Sequence, residues 1–173
     1  MIDETDYDAP DHCTVGVIGE VGNRLFLFYC RQGLTETTVK VEKQQVAVLA
    51  SYLGRIVKEL GRPGHLPDDL SFDGTEDPEW VVGTIGVSYD EELDRVVVVL
   101  EEVDDEDEDE DEDDDENGHV LRIALTREQA AAFAIHATRL VESGRPPCPL
   151  CGLPLDPSGH DCPRTNGHRP PVT

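Results

Sequence analysis

The pentapeptide Val15-Gly16-Val17-Ile18-Gly19 recurs with one change as Val82-Gly83-Thr84-Ile85-Gly86, and each copy opens the same succession of patterns. Cys13 to Gly19 and Arg24 to Arg31 (RLFLFYCR) read as two strands joined by the turn EVGN, and Thr35 to Glu42 reads as a third, alternating at Thr37, Val39 and Val41. The period then changes. Val46, Leu49, Ala50, Leu53, Val57 and Leu60 make a helical stripe that stops at Gly61. The second round has strands at Trp80 to Tyr89, Asp94 to Val103 and Val120 to Leu125, and a helix over Thr126 to Ser143 with Ala130, Phe133, Ala134, Ala137, Leu140 and Val141 inward. Gln45 and Gln129 precede their apolar runs at matching places, and Thr126 with Gln129 has capping-box spacing. An internal duplication accounts for all of this.

Two βββα units predict an α+β chain whose antiparallel sheet or sheets are covered by two helices, because each strand face and each helix stripe needs apolar cover. The expected organisation is a disordered acidic N-terminus over 1–11, a first unit over 12–61, a linker over 62–78, a second unit over 79–144 and a tail over 145–173. The linker assignment rests on three prolines and three glycines among polar residues between Gly61 and Pro78.

Charge narrows the partners. The net charge is −24, but Asp104 to Glu116 are all acidic and leave −11 for the rest. That run falls in the turn between two strands of the second unit, where self-repulsion predicts a disordered solvated loop. Calcium is not expected there, since the run lacks the glycine and hydrophobic frame of an EF-hand. So acidic a chain does not bind phosphate backbones through its body. Nucleic acid is left to the tail arginines Arg145, Arg164 and Arg169, and a protein partner fits better. No apolar run is long enough to cross a bilayer and the first residues lack the layout of a signal peptide, which predicts a cytoplasmic protein.

The strongest chemical signal follows the second helix, in SGRPPCPLCGLPLDPSGHDCPRTNGH. Cys148 and Cys151 are spaced so that both thiolates reach one ion, and Gly152 permits the tight turn that aims backbone amides at the sulfurs. Cys162 supplies a third thiolate. A zinc ribbon of paired knuckles would need a fourth cysteine at 165, which is Thr165, so a histidine is required. His160 is the first choice and His168 the alternative. Four protein ligands leave zinc no open position, which makes it structural, and the tail has too few apolar residues to order itself without metal. A redox Cys-x-x-Cys pair would open a helix after a strand, whereas this one follows a helix among prolines.

The remaining motifs are negative. There is no phosphate loop, no His-Glu-x-x-His and no Gly-x-Ser-x-Gly elbow, and no catalytic residue is assigned. His12, His65, His119 and His136 are scattered and read as packing or surface residues. Trp80 and Phe133 read as core, and Cys13 and Cys30 as buried groups facing each other on paired strands.

The VGTIG strand, the helix starts EKQQVAVLA and LTREQAAAFA, and the ending GRPPCPLCGLPLDPSGHDCPRTNG resemble an uncharacterised bacterial family, domain of unknown function 3090, over nearly the whole chain. The resemblance implies a bacterial protein of about this size and brings no activity. The reading is a non-enzymatic, zinc-binding interaction or regulatory module. The alternative is an enzyme or enzyme accessory using a cleft between the units, near Gly16, Gly83 or Trp80.

Overall fold

In the computed structural model, residues 2–173 are described except 21, 62, 104–117, 145–147, 154, 156–161 and 165–173. The acidic run therefore lies outside the described residues.

The first meander consists of β2 (His12–Ile18), β3 (Leu25–Gln32) and β4 (Thr35–Val41), which follow β1 (Asp3–Tyr7). Its register puts Val15, Phe28 and Val39 in one row and Thr14, Tyr29 and Thr38 in the row behind, and all six are buried. A sheet covered on both faces explains why β3 reads as an unbroken apolar run. Cys13 and Cys30 are directly paired across β2 and β3 and buried, as their placement on adjacent strands implied.

The outer cover is the segment over 62–78, which carries no helix or strand among its described residues, as expected of a linker or surface excursion, and packs on the sheet. Thr14 donates to Leu70 O at 2.7 Å, His12 Nε2 lies 2.7 Å from Ser71 O, and the Phe72 ring meets Tyr29 edge-on with centroids 5.9 Å apart. Phe72 occupies the space a side chain at Gly16 would need: a Cβ there would sit 2.4 Å from the ring. The glycine of the first pentapeptide is thus a socket. Prolines and polar residues concealed this packing, whose apolar anchors are the separated residues Leu66 and Phe72. Beyond it, Glu79 N donates to Thr38 O and Lys40 N to Trp80 O, both at 2.9 Å, adding a short parallel rung outside β4.

The second meander, β5 (Val82–Asp90), β6 (Arg95–Glu102) and β7 (His119–Leu125), belongs to a four-stranded sheet of order β1-β7-β6-β5. β1 contradicts the expected disorder of 1–11 and makes the sheet mixed, since it pairs with β7 in parallel, Asp3 opposite His119 through Tyr7 opposite Ile123. The acidic composition concealed the reason. Only alternate residues face inward, and Tyr7 is buried with its hydroxyl 2.8 Å from Thr37 Oγ1 on the other sheet. Burial pushes the Tyr7 phenol above its usual value.

Helix α1 (Lys43–Leu60) follows β4 directly and α2 (Arg127–Glu142) follows β7 directly, so the element order β2β3β4α1 is repeated as β5β6β7α2. Thr126 caps α2, its hydroxyl accepting from Gln129 N at 3.1 Å. The helices pack on each other where Gly54 faces Ala134, and each also lies against the first strand of the other run, α1 on β5 and α2 on β2. The inner faces of both sheets and both helix stripes, including Trp80 and Phe133, form one core.

An ion-paired knot fixes the helix ends. Arg127 Nε donates to Asp94 Oδ1 at 2.7 Å, its Nη1 donates to Leu60 O at 2.7 Å, and the Tyr89 hydroxyl donates to the same Asp94 oxygen at 2.6 Å. The Tyr89 and Arg127 hydrogen bonds hold the Asp94 carboxyl below its usual 3.8. Nearby, Gly64 N donates to Glu128 Oε1 at 2.8 Å and lowers that carboxyl also.

Two predictions follow from this packing. Gly16→Val should expel Phe72 and cost about 1 to 3 kcal/mol, as overpacking does, read as a lower urea midpoint with unchanged slope. Asp94 contributes stability that is full above 3.8 and is lost as pH falls through its depressed folded value. Asp94→Asn, which retains tolerance for the left-handed φ of 51° at this position, should lower the midpoint at neutral pH and flatten its decline below 3.8.

Candidate metal centre

The place where α2 ends determines where the cysteines begin. Arg24 Nη1 donates to Ser143 Oγ at 3.1 Å and approaches Leu140 O at 3.5 Å. A Cβ at Gly144 would lie 3.4 Å from the same guanidinium nitrogen and 3.5 Å from Lys43 Nζ. Two cations at the carbonyl end of a helix are favourably placed against its dipole. Arg24 holds the last turn of α2, which ends at Glu142, six residues before Cys148. Sequence reading missed both, and nothing local in either residue's neighbourhood marks it for this role.

The next turn is closed by its own backbone. Gly152 N donates to Cys148 O at 2.8 Å and Cys148 N donates to Leu153 O at 2.7 Å. Gly152 has φ +74°, a left-handed conformation that side chains other than glycine's adopt at a cost. Cys148 and Cys151 thus lie on one backbone-closed turn, which could form a zinc knuckle. Cys162 returns to it, so that the sulfurs of Cys148, Cys151 and Cys162 all lie within 4.8 Å of one another. Cys148 and Cys162 are buried and Cys151 is partly exposed.

The distances suit a metal. Two thiolates at about 2.3 Å from a tetrahedral ion stand roughly 3.8 Å apart, and Cys148 Sγ is 3.9 Å from Cys162 Sγ. Desolvation, followed by the neighbouring sulfurs, holds the Cys151 thiol above its usual value. A cation among three such sulfurs reverses that balance and favours their deprotonation. Among the described residues, no further histidine, cysteine or carboxylate joins the three. His160 and His168, the candidates for the fourth ligand, lie outside the described residues, as do Arg145 and Arg169.

The chain matches, over residues 5–162, the family described as protein of unknown function DUF3090. It belongs to that family. The DUF3090 match spans both βββα runs and all three cysteines. No curated protein and no solved structure matches the chain.

The alternative site, a cleft near Gly16, Gly83 or Trp80, is divided by the structure. Gly16 is filled by Phe72, and Trp80 is buried against the His119 ring, stacked at 6.1 Å. Gly83 does line a groove of about 540 Å³ between α1 and β5, together with Glu42, Gln45, Val48, Tyr52 and Ile85. Glu42 is the single carboxylate in that lining, and the Tyr52 phenol is the one other titratable group there. The scattered histidines have structural neighbours: His12 at Ser71 O, His136 Nε2 at 2.9 Å from Val15 O, His65 at Asp68 and His119 against Trp80. No described helix is long and apolar enough to cross a membrane.

Replacing Gly152 by valine forces a β-branched residue into the left-handed region at about 1 to 2 kcal/mol, or about tenfold in metal affinity. Competition with a chromophoric chelator should register that loss while the circular dichroism of the α+β body stays unchanged.

Proposed function

We propose that Cys148, Cys151 and Cys162, with His160 as fourth ligand and His168 as its alternative, hold a structural zinc ion, and that the protein is a non-enzymatic interaction module whose C-terminal tail the metal organises. The observation that carries this reading is the three-sulfur cluster on a backbone-closed turn, with Cys148 and Cys162 at the separation a tetrahedral ion requires and Cys151 within 4.8 Å of both. Zinc fits the ligand set, because soft thiolates with one imidazole select it over the oxygen-seeking divalent ions. A closed four-ligand shell leaves no position for water, so the metal supplies folding energy rather than chemistry. Among the described tail residues, Leu150 and Leu153 are exposed, and neither contributes to the core.

The body is read here as a duplicated βββα unit. Besides the shared pentapeptide and element order, the equivalent glutamines play equivalent parts. Gln45 Nε2 donates to Val82 O and Gly83 O at 3.1 and 3.0 Å, at the entry of β5, and Gln129 Nε2 donates to Pro10 O at 2.7 Å, just before β2. Each helix start thus holds the first strand of the other unit. A cytoplasmic setting accords with three thiols at metal spacing, which a reducing compartment preserves.

Metal analysis of the purified chain tests the zinc reading. The wild type should carry a single equivalent of zinc, lost in Cys148→Ser and in Cys162→Ser, and His160→Ala with His168→Ala should distinguish the fourth ligand. Full zinc retention in Cys148→Ser would sink the site. Turnover of a metabolite by the pure protein would replace the interaction module with the enzyme reading.

A further inference from the structure

We propose that the groove between α1 and β5 is a strand-addition site, taking an extended segment of a partner protein whose alternating apolar residues are flanked by lysine or arginine. The inference rests on the reading of the protein as an interaction module and names the surface and the chemistry of the partner.

The first observation is the open edge. β5 is the last strand of its sheet, hydrogen-bonded to β6 on one side. On its other side the Gln45 amide occupies the carbonyls of Val82 and Gly83 only. From Thr84 to Asp90, no hydrogen bond among the described residues reaches the outward backbone groups. An unpaired edge of this length is a template for another strand.

The second is what flanks it. Val48 and Tyr52, one turn apart on α1, are 53% and 47% exposed, and they face Ile85 and Val87 of β5 across the groove. A helix lying beside a free edge, with apolar side chains on both walls, is the arrangement in which an added strand gains main-chain hydrogen bonds from the edge and side-chain specificity from the helix. An exposed tyrosine in such a wall is a favoured anchor.

Charge selects the occupant. Glu42 stands at one mouth, and Asp90, Glu91 and Glu92 follow the far end of β5. Three cations stand near these four acids: Lys43, Arg55, which covers the Tyr52 ring at 5.0 Å, and Arg95, opposite Asp90. The surplus is acidic, in a chain of net charge −24. A basic-flanked segment is drawn in and an acidic one repelled.

The test uses the full-length zinc-loaded chain and a displayed library of seven-residue peptides, with selected sequences resynthesised and their affinities measured by fluorescence anisotropy. Selected peptides should alternate apolar residues between lysines or arginines, weaken with salt, and lose about tenfold in affinity on Val48→Ser or Tyr52→Ala, both exposed positions that tolerate change. N-methylation at alternate peptide residues should abolish binding in one phase and spare it in the other, since only one set of amides faces the edge. No enrichment, acidic flanks, or indifference to N-methyl phase would each overturn the proposal. So would a concentration-dependent dimer abolished by Val48→Ser, which assigns the edge to a second copy, or binding seen only after residues 165–173 are removed, which assigns it to the chain's own tail. Zinc content and partner recovery unchanged in Val48→Ser would defeat the groove while leaving the interaction module standing.

Discussion

Each helix packs chiefly on the other helix and on the first strand of the opposite βββα run. That exchange is the constraint on which the rest depends. α1 leaves β4 and crosses to β5, α2 leaves β7 and crosses to β2, and the two meet where Gly54 and Ala134 allow close contact. Neither run therefore completes a core alone, and the buried residues of both sheets and both helices form a single cluster. The Gln45 and Gln129 amides add directional bonds at the two crossings, the part that hydrophobic burial, being non-directional, cannot supply.

The cysteine segment stands in a different relation to this body. It begins just beyond the end of α2 that Arg24 holds, and it is arranged around three sulfurs rather than around apolar area. The body is stabilised by the apolar cluster shared by the inner faces of both sheets and both helices. The cysteine segment is shaped by a backbone-closed turn with one left-handed glycine, and its three sulfurs could hold a metal ion. Two stabilising principles in one chain explain why the apolar pattern stops at α2 while the family match runs on to Cys162.

Much of this was legible in the sequence because it depends on local periodicity. The six meander strands, both helices and the second helix's cap follow from alternation, the 3.6-residue stripe and the Thr126–Gln129 pair. The Cys-x-x-Cys-Gly spacing likewise yielded the knuckle and its third sulfur. What escaped were features whose stabilisation lies elsewhere in the chain. β1 is acidic at most positions and is a strand because β7 and Thr37 receive it. The segment over 62–78 has the composition of a loop, yet one ring finds a socket whose depth is set by a glycine on β2. Arg24 and Lys43 matter only through the helix end folded onto them. No pattern in their own neighbourhoods reports such partners.

The pairing of Asp3 with His119 also sets an order of events. A ribosome delivers β1 first, but the edge it joins does not exist until β7 has emerged, and β7 itself needs β6 beside it. During that interval Tyr7 has Thr37 of the first meander beside it but no strand to pair with, and the first meander stands without α2. Pairings this distant in sequence slow folding and lengthen the exposure of apolar faces.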